Sequence, residues 1–66
     1  MTVTINGEAH RFDAGMTLAQ ILERLGYVPN AVSVALNATF IPRTRHTQTT
    51  VKDGDALDMV APRQGG

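Results

Sequence analysis

The stretch TLAQILERLG, residues 17–26, is a helix written out with both of its ends. Thr17 followed by Gln20 has the spacing of a capping box. In that device a hydroxyl and an amide each satisfy a backbone N–H that the first turn of a helix leaves unpaired. Leu18, Ile21, Leu22 and Leu25 fall at i, i+3, i+4 and i+7, which makes one apolar stripe, with Glu23 and Arg24 facing water. Gly26 suits the left-handed residue that closes a helix. A helix with a single apolar stripe needs one surface to lie on, and the flanking sequence has to supply it.

Upstream, TVTINGEAHRF (residues 2–12) alternates about a turn signal. Val3 and Ile5 point one way, Thr2, Thr4 and Asn6 the other, and Asn6-Gly7 is the residue pair a tight hairpin uses. The return strand is expected through Ala9 to Asp13. Downstream, after Pro29-Asn30, AVSVALN is a β-branched run with Val32, Val34 and Leu36 on one face. Asn37 and Ala38 turn the chain into a short segment, Thr39 to Ile41, ended by Pro42, and a proline there confines the segment to a sheet edge. RTRHTQTT (43–50) reads as an irregular surface loop, KDGD (52–55) as a turn, and ALDMVA (56–61) as a last strand with Leu57 and Met59 inward.

The order β-β-α-β-β-β sets one helix against a sheet of four or five strands. One amphipathic helix covers one sheet face, so the fold class is α+β in two layers. Leu18, Ile21, Leu22 and Leu25 are expected to lie on Val3, Ile5, Val34, Leu36, Leu57 and Met59. A helix that follows a hairpin and leads into the third strand is the arrangement of a β-grasp, or ubiquitin-like, fold, here a mixed sheet with a flexible C-terminal tail. The domain is expected over residues 1–61 and the tail over 62–66.

Composition narrows the function classes. Sixty-six residues make one domain, which buries about 60% of the surface its unfolded chain exposes and leaves little volume for a deep pocket. Six basic residues balance six acidic ones, so charge does not point to nucleic acid or an anionic membrane. Cysteine is absent, which removes disulfides, Cys-ligated zinc and a cysteine nucleophile and is compatible with a reducing cytoplasm. The N-terminus turns polar within two residues, so no signal peptide is expected, and no apolar run is long enough to span a membrane. His10 and His46 stand 36 positions apart with no ligand partner at metal spacing, and read as exposed or strand-packing histidines. Asp53-Gly54-Asp55 lacks the twelve-residue pattern of a calcium loop and reads as a turn. Arg43, Arg45, His46 and Lys52 gather near one loop without interleaved aromatics, which argues against nucleic-acid binding. Neither a catalytic residue nor a metal ligand is expected.

Two features remain. The sheet face away from the helix carries Ser33, Ala35, Asp58 and Val60 if the alternation holds, and is a candidate docking surface. The chain then ends APRQGG, and from Ala61 to Gly66 it spans about 20 Å when extended at roughly 3.3 Å per residue. Pro62, Arg63, Gln64 and Gly65 lead to Gly66. A segment ending without Cβ atoms can thread a narrow channel and let backbone amides and a phosphate approach its terminal carbonyl.

In this order, INGE (5–8), TLAQILERLG (17–26), VALN (34–37), IPR (41–43), KDGD (52–55) and the final QGG make the chain resemble the ThiS family, ubiquitin-like sulfur carriers of thiamine biosynthesis, nearly end to end. Pro62 departs from the family pattern by stiffening the tail and removing a donor. The resemblance implies a carrier and co-substrate, not an enzyme. A ubiquitin-activating-like adenylyltransferase of the ThiF type, using ATP and Mg, would adenylate the Gly66 carboxylate. Sulfur from a cysteine desulfurase or sulfurtransferase would convert it to a thiocarboxylate, and a thiazole synthase of the ThiG type would accept that sulfur. It implies no bound cofactor and a cytoplasmic monomer that forms heteromeric complexes. Sibling carriers for molybdopterin or tRNA thiolation, and a ubiquitin-like protein modifier, share the activation step and stay open.

Overall fold

The N-cap of the helix forms as its residues dictate. Thr17 is extended at φ −81° and ψ 164°, its Oγ1 accepts from the Gln20 N–H at 3.2 Å, and Gln20 Oε1 accepts from the Thr17 N–H at 2.8 Å. A computed structural model describes residues 1–28 and 31–60, with α1 over Leu18–Leu25. The Leu18 N–H, which no turn of α1 can satisfy, donates to the Thr49 carbonyl at 2.8 Å, so the helix start is also tied to the chain ahead of the last strand. Gly26 closes the helix at φ +85°, where a side chain would be strained, and its N–H donates to the Glu23 carbonyl at 3.1 Å.

Five strands receive the apolar stripe: β1 Thr2–Ile5, β2 Glu8–Arg11, β3 Ser33–Leu36, β4 Thr39–Ile41 and β5 Ala56–Val60. Their order is β2-β1-β5-β3-β4, with β1 and β5 parallel and the other pairs antiparallel. The sheet is therefore mixed, with α1 on one face, the β-grasp arrangement. Leu18, Ile21 and Leu22 are fully buried against Val3, Ile5, Val34, Leu57 and Met59, as the alternation predicts. Full burial of each such side chain contributes about 1.5–3 kcal/mol. Leu25 and Leu36 are half-buried and pack on the margin of that cluster. Phe12, Met16 and Val51 join it from outside the strands.

Three expectations are corrected. The return strand begins at Glu8 and stops at Arg11, where its partner β1 runs out; Phe12 still donates its N–H to the Met1 carbonyl at 2.9 Å while its side chain enters the core. The segment expected as an irregular loop holds a 3₁₀ helix, Arg43–Gln48, which packs against α1. Pro42 at φ −59° sets the chain for that turn, and the Arg45 N–H donates to the Pro42 carbonyl at 2.9 Å. His46 is consequently buried, 3% exposed, with Nε2 3.1 Å from the Ile41 carbonyl. The turn around Pro29-Asn30 and the boundary expected at residue 61 lie outside the described residues.

Both hairpins use two-residue turns with positive φ at each central position. Asn6 and Gly7 stand at +50° and +87°, Asn37 and Ala38 at +50° and +71°. Glycine takes that second position without strain, whereas alanine there costs about 1–2 kcal/mol. After subtracting the larger entropy glycine loses on folding, Ala38→Gly should gain about 0.5–1 kcal/mol. That corresponds to a rise in Tm of roughly 3–6 °C. A thermal melt showing no gain would mean the turn accommodates alanine without strain.

Candidate functional site

Strand alternation leaves one sheet face without a helix. On β3 and β5 the inward residues are Val34, Leu57 and Met59, so Ser33, Ala35, Asp58 and Val60 face outward. Register places them side by side: Ser33 is opposite Val60, and Ala35 is opposite Asp58. The four residues singled out from the sequence are thus brought together on neighbouring strands. Phe40 extends the group, lying opposite Ala35 on β4. Its signal is local, since Ile41 turns inward and the residue before it must turn outward. Phe40 and Val60 are 63% and 64% exposed, large apolar side chains left in water on the one face α1 does not cover. Exposed apolar groups flanking Ala35 and Asp58 suit contact with another protein.

Val60 has a second property. It ends β5, a strand held on both sides, by β1 and by β3, and it is the last described residue before Ala61 to Gly66. The sequence-predicted tail residues Pro62, Arg63, Gln64, Gly65 and Gly66 lie outside the described residues. What is described is the platform from which they continue: a strand in the interior of the sheet, with the open face beside its end.

Chemistry-bearing side chains elsewhere do not converge. His10 lies flat against Phe12, ring centroids 6.3 Å apart at 19°, with Glu8 3.9 Å from its Nε2. His46 is enclosed beneath the 3₁₀ helix. Among the described residues no three His, Asp or Glu side chains gather at metal-binding distance. The concavity beside Met1, Arg11, Asp13, Arg24 and Asp53 mixes both charges, and the terminal amine there donates to the Phe12 carbonyl at 2.6 Å. Among the described residues no helix is long and apolar enough to cross a membrane.

A family model described as the ThiS family matches residues 3–66. The chain is similar to a thiazole synthase of Paramagnetospirillum magneticum, 39% identical over 66 residues, which are all of this chain and 20% of that protein. It spans about one fifth of the length of that relative. It is also similar to the sulfur carrier protein ThiS of Escherichia coli, 30% identical with all of both chains covered. Among solved structures, a thiamine biosynthesis protein (ThiS) from Geobacter metallireducens superposes with a TM-score of 0.84 at 32% identity, covering the whole of each chain.

Proposed function

Since the chain belongs to the ThiS family, we propose that it carries sulfur for thiamine biosynthesis on Gly66, at the end of the segment that leaves β5. The observation that carries this proposal is the end-to-end match with the Escherichia coli sulfur carrier, in which the whole of each chain is covered.

A free carboxylate resists nucleophiles because its carbonyl carbon is electron-rich. In the proposed first step a Gly66 carboxylate oxygen attacks the α-phosphorus of ATP, and the bond to the β,γ-diphosphate breaks. The products are an acyl-adenylate and pyrophosphate, and AMP is now a competent leaving group. The terminal sulfur of a protein persulfide then adds to the Gly66 carbonyl and expels AMP. A second thiol cleaves the resulting acyl disulfide, leaving the thiocarboxylate on Gly66 and a disulfide on the donor. Transfer of that sulfur to an acceptor, with water supplying oxygen, restores the carboxylate. Every catalytic group in this sequence belongs to partners, and the chain contributes reach, backbone access and a docking face.

The partners follow the same chemistry. The first is an adenylate-forming enzyme of the ThiF type and the second a persulfide donor. A thiazole synthase of the ThiG type is supported as acceptor by the Paramagnetospirillum relative, in which a segment like this chain is part of a longer chain named for thiazole synthesis. Ser33, Ala35, Phe40, Asp58 and Val60 form the docking face for the activating enzyme, because engaging it sets the root of the tail beside the partner.

The test is the intact mass of the untagged protein from cells starved of thiamine. A fraction in which one oxygen is exchanged for sulfur, mapped to the tail peptide, is the expected result. Thiocarboxylates hydrolyse, so the companion measurement is ATP–pyrophosphate exchange with the activating enzyme. An unmodified mass together with no exchange would overturn the carrier function.

A further inference from the structure

Both hairpin turns place an asparagine at φ +50°, and both asparagines turn their side-chain amides onto β5. They grip opposite ends of it. Asn37 holds the beginning: its Oδ1 accepts from the Ala56 N–H at 2.9 Å and its Nδ2 donates to Asp55 Oδ1 at 3.0 Å. Asn6 holds the end: its Oδ1 accepts from the Met59 N–H at 2.7 Å and its Nδ2 donates to the Met59 carbonyl at 3.1 Å.

The Asn6 clamp is needed because β1 is too short for its neighbour. The two strands pair in parallel only through Thr4 with Ala56 and Ile5 with Leu57, after which β1 turns away into its hairpin. The Asn6 N–H still donates to the Leu57 carbonyl at 2.9 Å. In a continued parallel ladder the Met59 N–H would next meet the Asn6 carbonyl, which the turn has carried off. The Asn6 side chain stands in for it. Successive residues of a strand direct their backbone groups to opposite sides, so Leu57 and Met59 both address β1, while Asp58 and Val60 address β3. One side-chain amide therefore satisfies both backbone groups of Met59, one residue before Val60, where β5 ends.

We infer that Asn6 is a positioning residue for the carrier reaction: by holding Met59 in the sheet it fixes the point and heading from which the Gly-Gly segment is presented to the activating enzyme. This rests on the proposed function of the tail. Without the amide, Met59 has no partner on the β1 side, and the end of β5 is held by β3 alone, through the Ser33–Val60 pair. Each backbone residue that must be ordered again on docking costs about tenfold in affinity. The chemical step is unaffected, because once threaded the terminal carboxylate is held by the partner.

Asn6→Gly removes the amide and keeps the positive φ, and Asn37→Gly does the same at the far end of β5. Both are assayed with the unaltered chain for ATP–pyrophosphate exchange by the activating enzyme, alongside amide hydrogen exchange of the free proteins. Asn6→Gly is expected to raise the KM for the carrier about tenfold with kcat within about twofold, and to speed exchange at the Met59 amide while Leu57 stays protected. Asn37→Gly should keep the parent KM. An Asn6→Gly variant with the parent KM overturns the positioning role, as does an equal rise in both variants, which would mark general loosening of β5. An unaltered chain that supports no pyrophosphate exchange overturns the carrier function itself, and the positioning role with it. The two failures are thus told apart by the parent.

Discussion

Removing Gly66 is expected to abolish adenylation and leave the melting transition in place. The shortened chain still ends in a glycine carboxylate, so its intrinsic chemistry is unchanged. What changes is reach: the reactive carbon recedes by about 3.3 Å. A misplacement of only 1 Å in a reacting group costs on the order of 100-fold in rate, so the loss should fall below detection by pyrophosphate exchange. Stability is expected to hold because, among the described residues, the buried cluster runs from Val3 to Met59. A melting shift of about 5 °C or more, roughly 1 kcal/mol in a domain this small, would mean the tail contributes to the fold. Substantial residual turnover would mean the partner does not measure the length of the tail.

The second large effect is expected on the open sheet face. Val60→Asp and Phe40→Asp each put a carboxylate where an exposed apolar side chain stands, and neither position contributes to the buried core. The free variants should fold as the parent does, since the new charge stays in water. On docking, that charge would be stripped of water against an apolar partner surface with nothing to neutralise it, and the apolar contact would be lost as well. Truncations at the centre of an interface commonly cost 2 kcal/mol or more, so affinity for the activating enzyme should fall about 30-fold to 100-fold for each. Titration calorimetry with the activating enzyme reads this directly. Unchanged affinity in both variants would place the interface on another surface, the helix side included.

How much of this was legible depended on the range of the forces involved. The ends of α1 could be read from residues 17–26 because capping is local: Thr17, Gln20 and Gly26 act within one turn of themselves. The open face was equally accessible, since period-two alternation on β3 and β5 places Ser33, Ala35, Asp58 and Val60 without knowledge of the partner strand. Phe40 obeys the same rule on a strand of three residues, where alternation is a short signal. The parallel β1–β5 pair is different. It joins Thr4 to Ala56 across most of the chain, and no pattern in either strand announces the other. His46 is different again: a lone histidine amid Arg43, Thr44, Arg45 and Thr47 looks solvated, and its burial follows only when the 3₁₀ helix packs against α1. The turn roles of Asn6 and Asn37 were visible, but what their amides hold was not, because Met59 is 53 residues from Asn6, and Asp55 and Ala56 are 18 and 19 residues from Asn37.

The interior place of β5 also bears on force. A partner that grips the end of the segment beyond Val60 and draws it into a channel pulls along the axis of that strand. Hydrogen bonds to β1, to β3 and to the Asn6 amide run across the strand, so such a pull loads them together in shear. An edge strand such as β4, with one bonded neighbour, would instead peel from its free side one bond at a time. Under the proposed function, repeated capture and withdrawal by successive partners would therefore act on the direction in which this sheet is hardest to open, and the core would stay closed through the cycle.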